Sequence, residues 1–185
     1  MNNDVKTWLE TDGVEFLKTI GMKEDQTVLD FGCGKGHYSI PAAKVVGEKG
    51  RIYALDKNIE ALNQLVDLMQ KNRLKNIEII KQKSKILLEN NFLDFILCYD
   101  VVHYVKDRKI LYHEFHKILR PKGILSLYPK HYKNDYPLME IAHMKLEAII
   151  KEVEETGFSL QDKFLKRLIH DDCYNEGYIL NFRKD

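Results

Sequence analysis

Asp30-Phe-Gly-Cys-Gly-Lys-Gly36 is the stretch whose residue types and spacing point most directly to chemistry. Val28, Leu29 and Phe31 read as a short buried strand. Gly32, Gly34 and Gly36 follow at every second position, and Ile40, Ala42, Ala43, Val45 and Val46 then recur at spacings that suit a helix face. The pattern predicts a strand, a glycine-rich turn and the start of a helix. Glycines are needed where the backbone takes positive φ, or where a ligand lies against a chain with no Cβ in the way. The first turn of the following helix offers free N–H groups to an anionic group. The spacing is GxGxG rather than the GxGxxG of dinucleotide-binding turns, which counts against NAD. A second acid, Asp56, lies 26 positions after Asp30 and closes the strand-like run Arg51-Ile-Tyr-Ala-Leu55. An acid at the end of a second strand can accept both hydroxyls of a ribose.

Together, DFGCGKG and YALDKN resemble the class I S-adenosylmethionine (SAM)-dependent methyltransferases, within them the small methyltransferase domain 11 or ubiquinone–menaquinone methylase-like type. The likeness spans roughly Thr27 to Leu127. It implies an α/β, Rossmann-like fold: a doubly wound, mostly parallel seven-stranded sheet of order 3-2-1-4-5-7-6 with strand 7 antiparallel. It also implies SAM as cofactor, and methyl transfer to an O, N or S atom of a small-molecule acceptor by direct in-line displacement. By the same resemblance Asp30 would reach the cofactor's ammonium, and Gly32, Cys33, Gly34 and Gly36 would line its methionine part. Tyr38 would pack on the methionine chain, or else serve as core or cap. Asp56 would hold the ribose, and Lys57 and Asn58 would border the adenosine or form a solvated loop and a helix cap. Many relatives carry Gly-Asp after strand three, where the acid accepts from the adenine amino group. This chain has Lys81-Gln-Lys-Ser84 instead, which leaves Gln82 and Ser84 as the adenine contacts.

In an open α/β sheet the site lies at the carboxyl ends of the strands. Cys98-Tyr-Asp-Val-Val-His-Tyr104 follows strand four, so Cys98, Tyr99, Asp100 and His103 are candidates to lie near the transferable methyl. His103 and Asp100 are the catalytic candidates. A histidine suits a base at neutral pH, and its alternative is a packing histidine under the cofactor. No [DNS]PP[YFW] run and no Pro-Cys or Thr-Cys dipeptide occurs, which excludes the amino- and cytosine-C5-methylating nucleic-acid enzymes of this fold. Tyr128, His131, Tyr132 and Tyr136 would suit a flat or apolar acceptor. His113 and His116, three apart on a helix, lack an evident third ligand, and no metal site is expected.

The elements that must hold these residues are readable in outline. Residues 4–20 form a helical face with Gly13 as a weak point, and residues 1–24 are expected to cap the sheet or cover the site. Asn58 caps a helix carrying Ile59, Leu62, Leu65, Val66 and Met69. Residues 76–80 and Leu93–Cys98 are strands, and Ile110 to Leu119 is a helix. Arg120-Pro-Lys-Gly123 reads as a turn before a strand from Ile124 to Tyr128. Pro137 opens a helix that runs past Val153 to Gly157, and Phe164–Ile169 and Tyr178–Phe182 flank a long hairpin loop, Asp171–Gly177.

The 185 residues suit one domain, 1–185, with 44% hydrophobic and 31% charged residues. A net charge of +1 argues against a nucleic-acid footprint dominated by excess Lys and Arg, and leaves only a local basic patch open. Three cysteines without a CxxC pair, no apolar run of membrane length and no signal-peptide layout lead to the expectation of a cytoplasmic protein, monomer or homodimer. A non-catalytic SAM-binding regulatory or partner subunit is the alternative function.

Overall fold

The computed structural model describes residues 2–81, 86–129 and 140–185, with the backbone alone at Glu140 and Ala142. Its seven strands form a sheet of order β3-β2-β1-β4-β5-β7-β6, as the resemblance implied. They are β1 Thr27–Phe31, β2 Arg51–Asp56, β3 Ile77–Lys81, β4 Leu93–Tyr99, β5 Leu119–Tyr128, β6 Phe158–His170 and β7 Cys173–Lys184. The chain divides into two compact units, Met1–Ile86 with Leu168–Tyr174, and Leu87–Arg167 with Asn175–Asp185.

In the first unit, β1, β2 and β3 are parallel, with Phe31 opposite Leu55 and Asp56 opposite Lys81. Their carboxyl ends therefore lie along one edge of the sheet. Helix α3 (Ser39–Val46) buries nearly every side chain, which suits a crossover helix pressed on a sheet. Helix α4 (Ile59–Lys71) begins where Asn58 Oδ1 accepts from the N–H groups of Glu60 and Ala61, the cap expected from the sequence.

The N-terminal segment is helical from residue 3 to 19, but not regular. Helix α1 (Asn3–Thr7) and helix α2 (Gly13–Thr19) are joined by a π-helical turn, Trp8–Asp12. A π turn widens the helix and loosens its ladder. Here Lys44 Nζ donates to the Leu9 carbonyl at 2.7 Å. Gly13 is a packing glycine: a Cβ there would lie 2.8 Å from the Trp8 carbonyl oxygen and 2.9 Å from the Pro41 ring.

In the second unit, β4 and β5 are parallel, β5 and β7 antiparallel, and helices α5 (Arg108–Ile118), α6 (Glu140–His143) and α7 (Leu146–Glu154) accompany them. Three expectations are corrected. Arg120–Gly123 is not a separate turn. It lies within β5, where the register jumps from Leu93 opposite Leu119 to Phe95 opposite Ile124, an irregularity that absorbs the Pro and Gly. The helix expected through Val153 breaks at Lys145, whose ψ of 147° is extended, so α6 and α7 are separate. The hairpin loop is two residues, Asp171 and Asp172, not seven, and both have positive φ, 45° and 66°. The start of the expected helix at Pro137 lies outside the described residues.

Candidate functional site

The glycine turn is shaped by its own backbone and by Asp56. Gly32 and Cys33 donate their N–H groups to the Leu55 carbonyl at 2.8 and 3.0 Å, and Gly36 N–H donates to Cys33 at 2.9 Å. Gly34 N–H donates to Asp56 Oδ2 at 2.8 Å, while Asp56 Oδ1 accepts from Asn58 N–H at 2.8 Å. A carboxylate has about four lone-pair sites, so Asp56 keeps acceptor capacity on both oxygens for a diol.

Gly34 and Gly36 do different work. A Cβ on Gly34, whose φ is +51°, would meet nothing within 4 Å. That is open space beside the turn, the cradle a ligand needs. A Cβ on Gly36, whose φ is +86°, would lie 2.3 Å from Leu65 of α4. Gly36 is thus required by the approach of α4.

Asp30 is buried in β1, 3% exposed, and Ser39 Oγ donates to its Oδ2 at 2.5 Å. Burial pushes its carboxyl up to about 7, the Ser39 bond pulls it partly back and the neighbouring Asp56 charge raises it again. A buried carboxyl in this state gains from a cation placed beside it. Ser39 was not singled out from the sequence, because its role depends on the turn folding the start of α3 back over β1. Cys33 is buried, and burial first, then Asp30 and Asp56, hold its thiol far above the usual range. It is no nucleophile in this state.

Tyr38 goes elsewhere. Its hydroxyl donates to the Ile169 carbonyl at 2.7 Å, and its ring packs edge-on to Trp8 with centroids 5.4 Å apart. Of the two readings given for Tyr38, the aromatic cluster of Trp8, Phe16 and Tyr38 matches the core one. Lys57 is exposed at the end of β2. Gln82, Ser84, His131, Tyr132 and Tyr136 lie outside the described residues.

In the second unit, Cys98 is fully buried, and the Tyr99 hydroxyl shares a 2.7 Å hydrogen bond with Ser126 Oγ. Asp100 follows with φ +57°, a conformation seldom adopted without glycine, and its N–H meets the Tyr128 carbonyl at 3.3 Å. His103 sits half-buried on a 3₁₀ turn, Val102–Tyr104, with its ring 4.1 Å from that of Tyr104. His116 packs edge-on against Phe158, centroids 5.2 Å apart, while His113 is exposed. Among the described residues no three candidate metal ligands converge, and no helix is long and apolar enough to cross a membrane.

A family model described as a methyltransferase domain matches residues 22–171. The chain belongs to this methyltransferase domain family. The family assignment covers the glycine turn, Asp30 and Asp56, and extends through β4 to the hairpin tip. Of solved structures, an SAM-dependent methyltransferase from Aquifex aeolicus superposes with a TM-score of 0.79 at 26% identity, over 97% of this chain and 93% of that one. Among curated proteins, a probable cobalt-precorrin-6B C(15)-methyltransferase from Saccharolobus solfataricus is 35% identical over 39% of this chain and 37% of its own length. A demethylmenaquinone methyltransferase from Oceanobacillus iheyensis is 24% identical over 64% of this chain and 48% of its own. The chain spans about a third to a half of the length of the first curated relatives it matches. The cofactor of this methyltransferase domain is SAM. The residues present fit it: an open cradle at Gly34, a buried carboxyl at Asp30 that a cation would stabilise in its ionised form, and acceptor capacity at Asp56.

Proposed function

We propose that this chain is a methyltransferase that passes a methyl group from SAM to an O, N or S atom of a small molecule by direct in-line displacement. The observation that carries the reading is the first unit's set of Asp30, Gly34 and Asp56: a buried acid, open backbone and a second acid around one turn. SAM, when bound, supplies a sulfonium methyl and its own leaving group. The protein's part is then to bind, align and exclude water. Asp30 would meet the ammonium, where charge-assisted hydrogen bonding is strongest in a buried setting. Asp56 would accept from the ribose hydroxyls, and the backbone at Gly34 would lie against the methionine part. His103 and Asp100 are the candidates to take a proton from an acceptor hydroxyl or amine.

The test is calorimetric titration of the purified protein with SAM, S-adenosylhomocysteine and NAD, followed by transfer of labelled methyl from SAM to a panel of acceptors. Quinone precursors with a free hydroxyl come first, since a relative is named a ubiquinone biosynthesis O-methyltransferase, and transfer to a carbon of a corrinoid precursor, after the C(15)-methyltransferase relatives, would overturn the O, N or S reading. Binding of both sulfur nucleosides without NAD supports the cofactor reading. Binding with no transfer to any acceptor would favour a non-catalytic SAM-binding subunit instead.

A further inference from the structure

We propose that Asp172, at the tip of the β6–β7 hairpin, is a positioning residue for the cofactor turn: its carboxylate holds Lys35 and His37 and so keeps the glycine turn in its binding conformation. The inference rests on the cofactor reading above.

The glycine turn is flexible by composition. Lys35 stands between Gly34 and Gly36, both at positive φ, and glycine gives such a segment many conformations to lose on ordering. Groups outside the turn restrain the residues that follow. Trp8 Nε1 donates to the His37 carbonyl at 2.8 Å, and Tyr38 O–H donates to Ile169. Asp172 adds the side-chain restraints: Lys35 Nζ donates to its Oδ2 at 2.8 Å, and His37 Nε2 lies 3.3 Å from its Oδ1. Lys35 beside it holds the Asp172 carboxyl below the usual range.

The hairpin tip is in turn tied to the N-terminal helix. Asn2 Nδ2 donates to the Asp172 carbonyl at 2.5 Å, Tyr174 O–H donates to Asp12 Oδ2 at 2.5 Å, and Tyr174 N–H donates to Asp4 Oδ2 at 3.3 Å. Asp171 has a local partner, its Oδ2 lying 3.2 Å from His170 Nε2, whereas the Asp172 carboxylate faces Lys35 and His37. Two-residue hairpin loops with positive φ at both positions favour Asn-Gly, Asp-Gly or Gly-Gly. The carboxylate at 172 is better accounted for by its distant partners than by the turn it sits in. The tip also clusters with the cofactor unit rather than with the rest of its hairpin.

Freeing Lys35 and His37 lowers the fraction of molecules whose turn is ready to bind, and the apparent dissociation constant rises by the same factor. The Lys35–Asp172 pair is 44% and 42% exposed and borders a cavity of about 290 Å³. Such a pair is weak and salt-sensitive, so the factor is roughly three to five.

The experiment is calorimetric titration of the full chain with S-adenosylhomocysteine at low and high salt. It compares the wild type with Asp172→Asn, Asp172→Gly, Lys35→Met and the Lys35→Met/Asp172→Asn double variant. Both Asn and Gly accept the +66° φ at this position, so the hairpin keeps its turn. Roughly three- to fivefold weaker binding in each single variant is expected, with no further loss in the double. The wild type's advantage over the variants should shrink at high salt. Wild-type affinity in Asp172→Gly, or additive effects of Lys35 and Asp172, would overturn the positioning role while leaving the cofactor reading intact. A wild type that binds no S-adenosylhomocysteine would overturn both.

Discussion

A carboxyl buried beside a second acid, with Ser39 donating to it, titrates far from its ordinary range, and Asp30 can be followed through pH for that reason. Its ordinary value of 3.8 is raised to about 7. The folded protein therefore holds this proton more tightly than the unfolded chain. Its contribution to stability is complete below about pH 4 and is lost as pH rises through 7, by up to about 4 kcal/mol. Asp30→Asn should remove that loss. At pH 8 the variant should melt above the wild type, and the gap should narrow steadily and close only as pH falls to about 4, as calorimetric scans would report. A bound ammonium favours the ionised form, so below pH 7 the proton must leave before the cofactor binds. S-adenosylhomocysteine affinity of the wild type should then fall by up to tenfold per pH unit below 7 and stay level above it. Titrations across pH 5.5–8.5 check the slope, and a flat profile would remove Asp30 from the ammonium. The glycines separate in the same way. Gly34→Ala meets open space, so its cost to stability should be only the left-handed strain, about 1–2 kcal/mol, while cofactor affinity is lost. Gly36→Ala adds a collision with Leu65 to the same strain and should cost about 2–5 kcal/mol in urea unfolding.

At the scale of elements, the N-terminal segment is where sequence periodicity and packing diverge most usefully. The apolar stripe of residues 4–20 indicated a helix with Gly13 as a flaw, because glycine costs about 1 kcal/mol in a helix relative to alanine. The structure reverses the sign: Gly13 lets Trp8 and Pro41 approach the chain, and Gly13→Ala should destabilise rather than stabilise, in a thermal-shift measurement. The π turn beside it was not readable, since it depends on Lys44 reaching the Leu9 carbonyl from another helix. The same reason explains the misread start of β5. Arg120-Pro-Lys-Gly123 carries ordinary turn chemistry, yet Arg120 pairs with Asp94 of β4 and a Cβ on Gly123 would lie 3.2 Å from the Asp94 carbonyl. Partners on the neighbouring strand keep the segment in the sheet. Motifs written in consecutive residues, such as Asp30 to Gly36 or the Asn58 cap, were legible. Features made by residues far apart in sequence, such as Ser39 on Asp30 or Asp172 on Lys35, were not.

For the whole molecule, the two units divide the proposed roles between them. The described residues proposed to hold SAM most directly, Asp30, Gly34 and Asp56, all belong to the first unit, together with the hairpin tip. Asp100 and His103, the candidates for handling an acceptor proton, belong to the second. Cofactor binding should therefore leave its mark unevenly. Hydrogen exchange measured with and without S-adenosylhomocysteine should slow at the amides of residues 32–38, since Gly32 and Cys33 donate to Leu55, Gly34 to Asp56 and Gly36 to Cys33, bonds that the ligand would stiffen. Protection should extend to 169–174 if the tip and the turn are one mechanical piece. Amides of α7, where Arg108 of α5 holds Glu152 through two hydrogen bonds of 2.8 and 2.9 Å, should not change, because that clamp is internal to the second unit. His103→Ala should leave S-adenosylhomocysteine affinity unchanged and lower only the rate of methyl transfer. Loss of both affinity and rate would mean that the ring supports the cofactor rather than the acceptor, and protection at 32–38 without any at 169–174 would separate the hairpin tip from the turn it is proposed to hold.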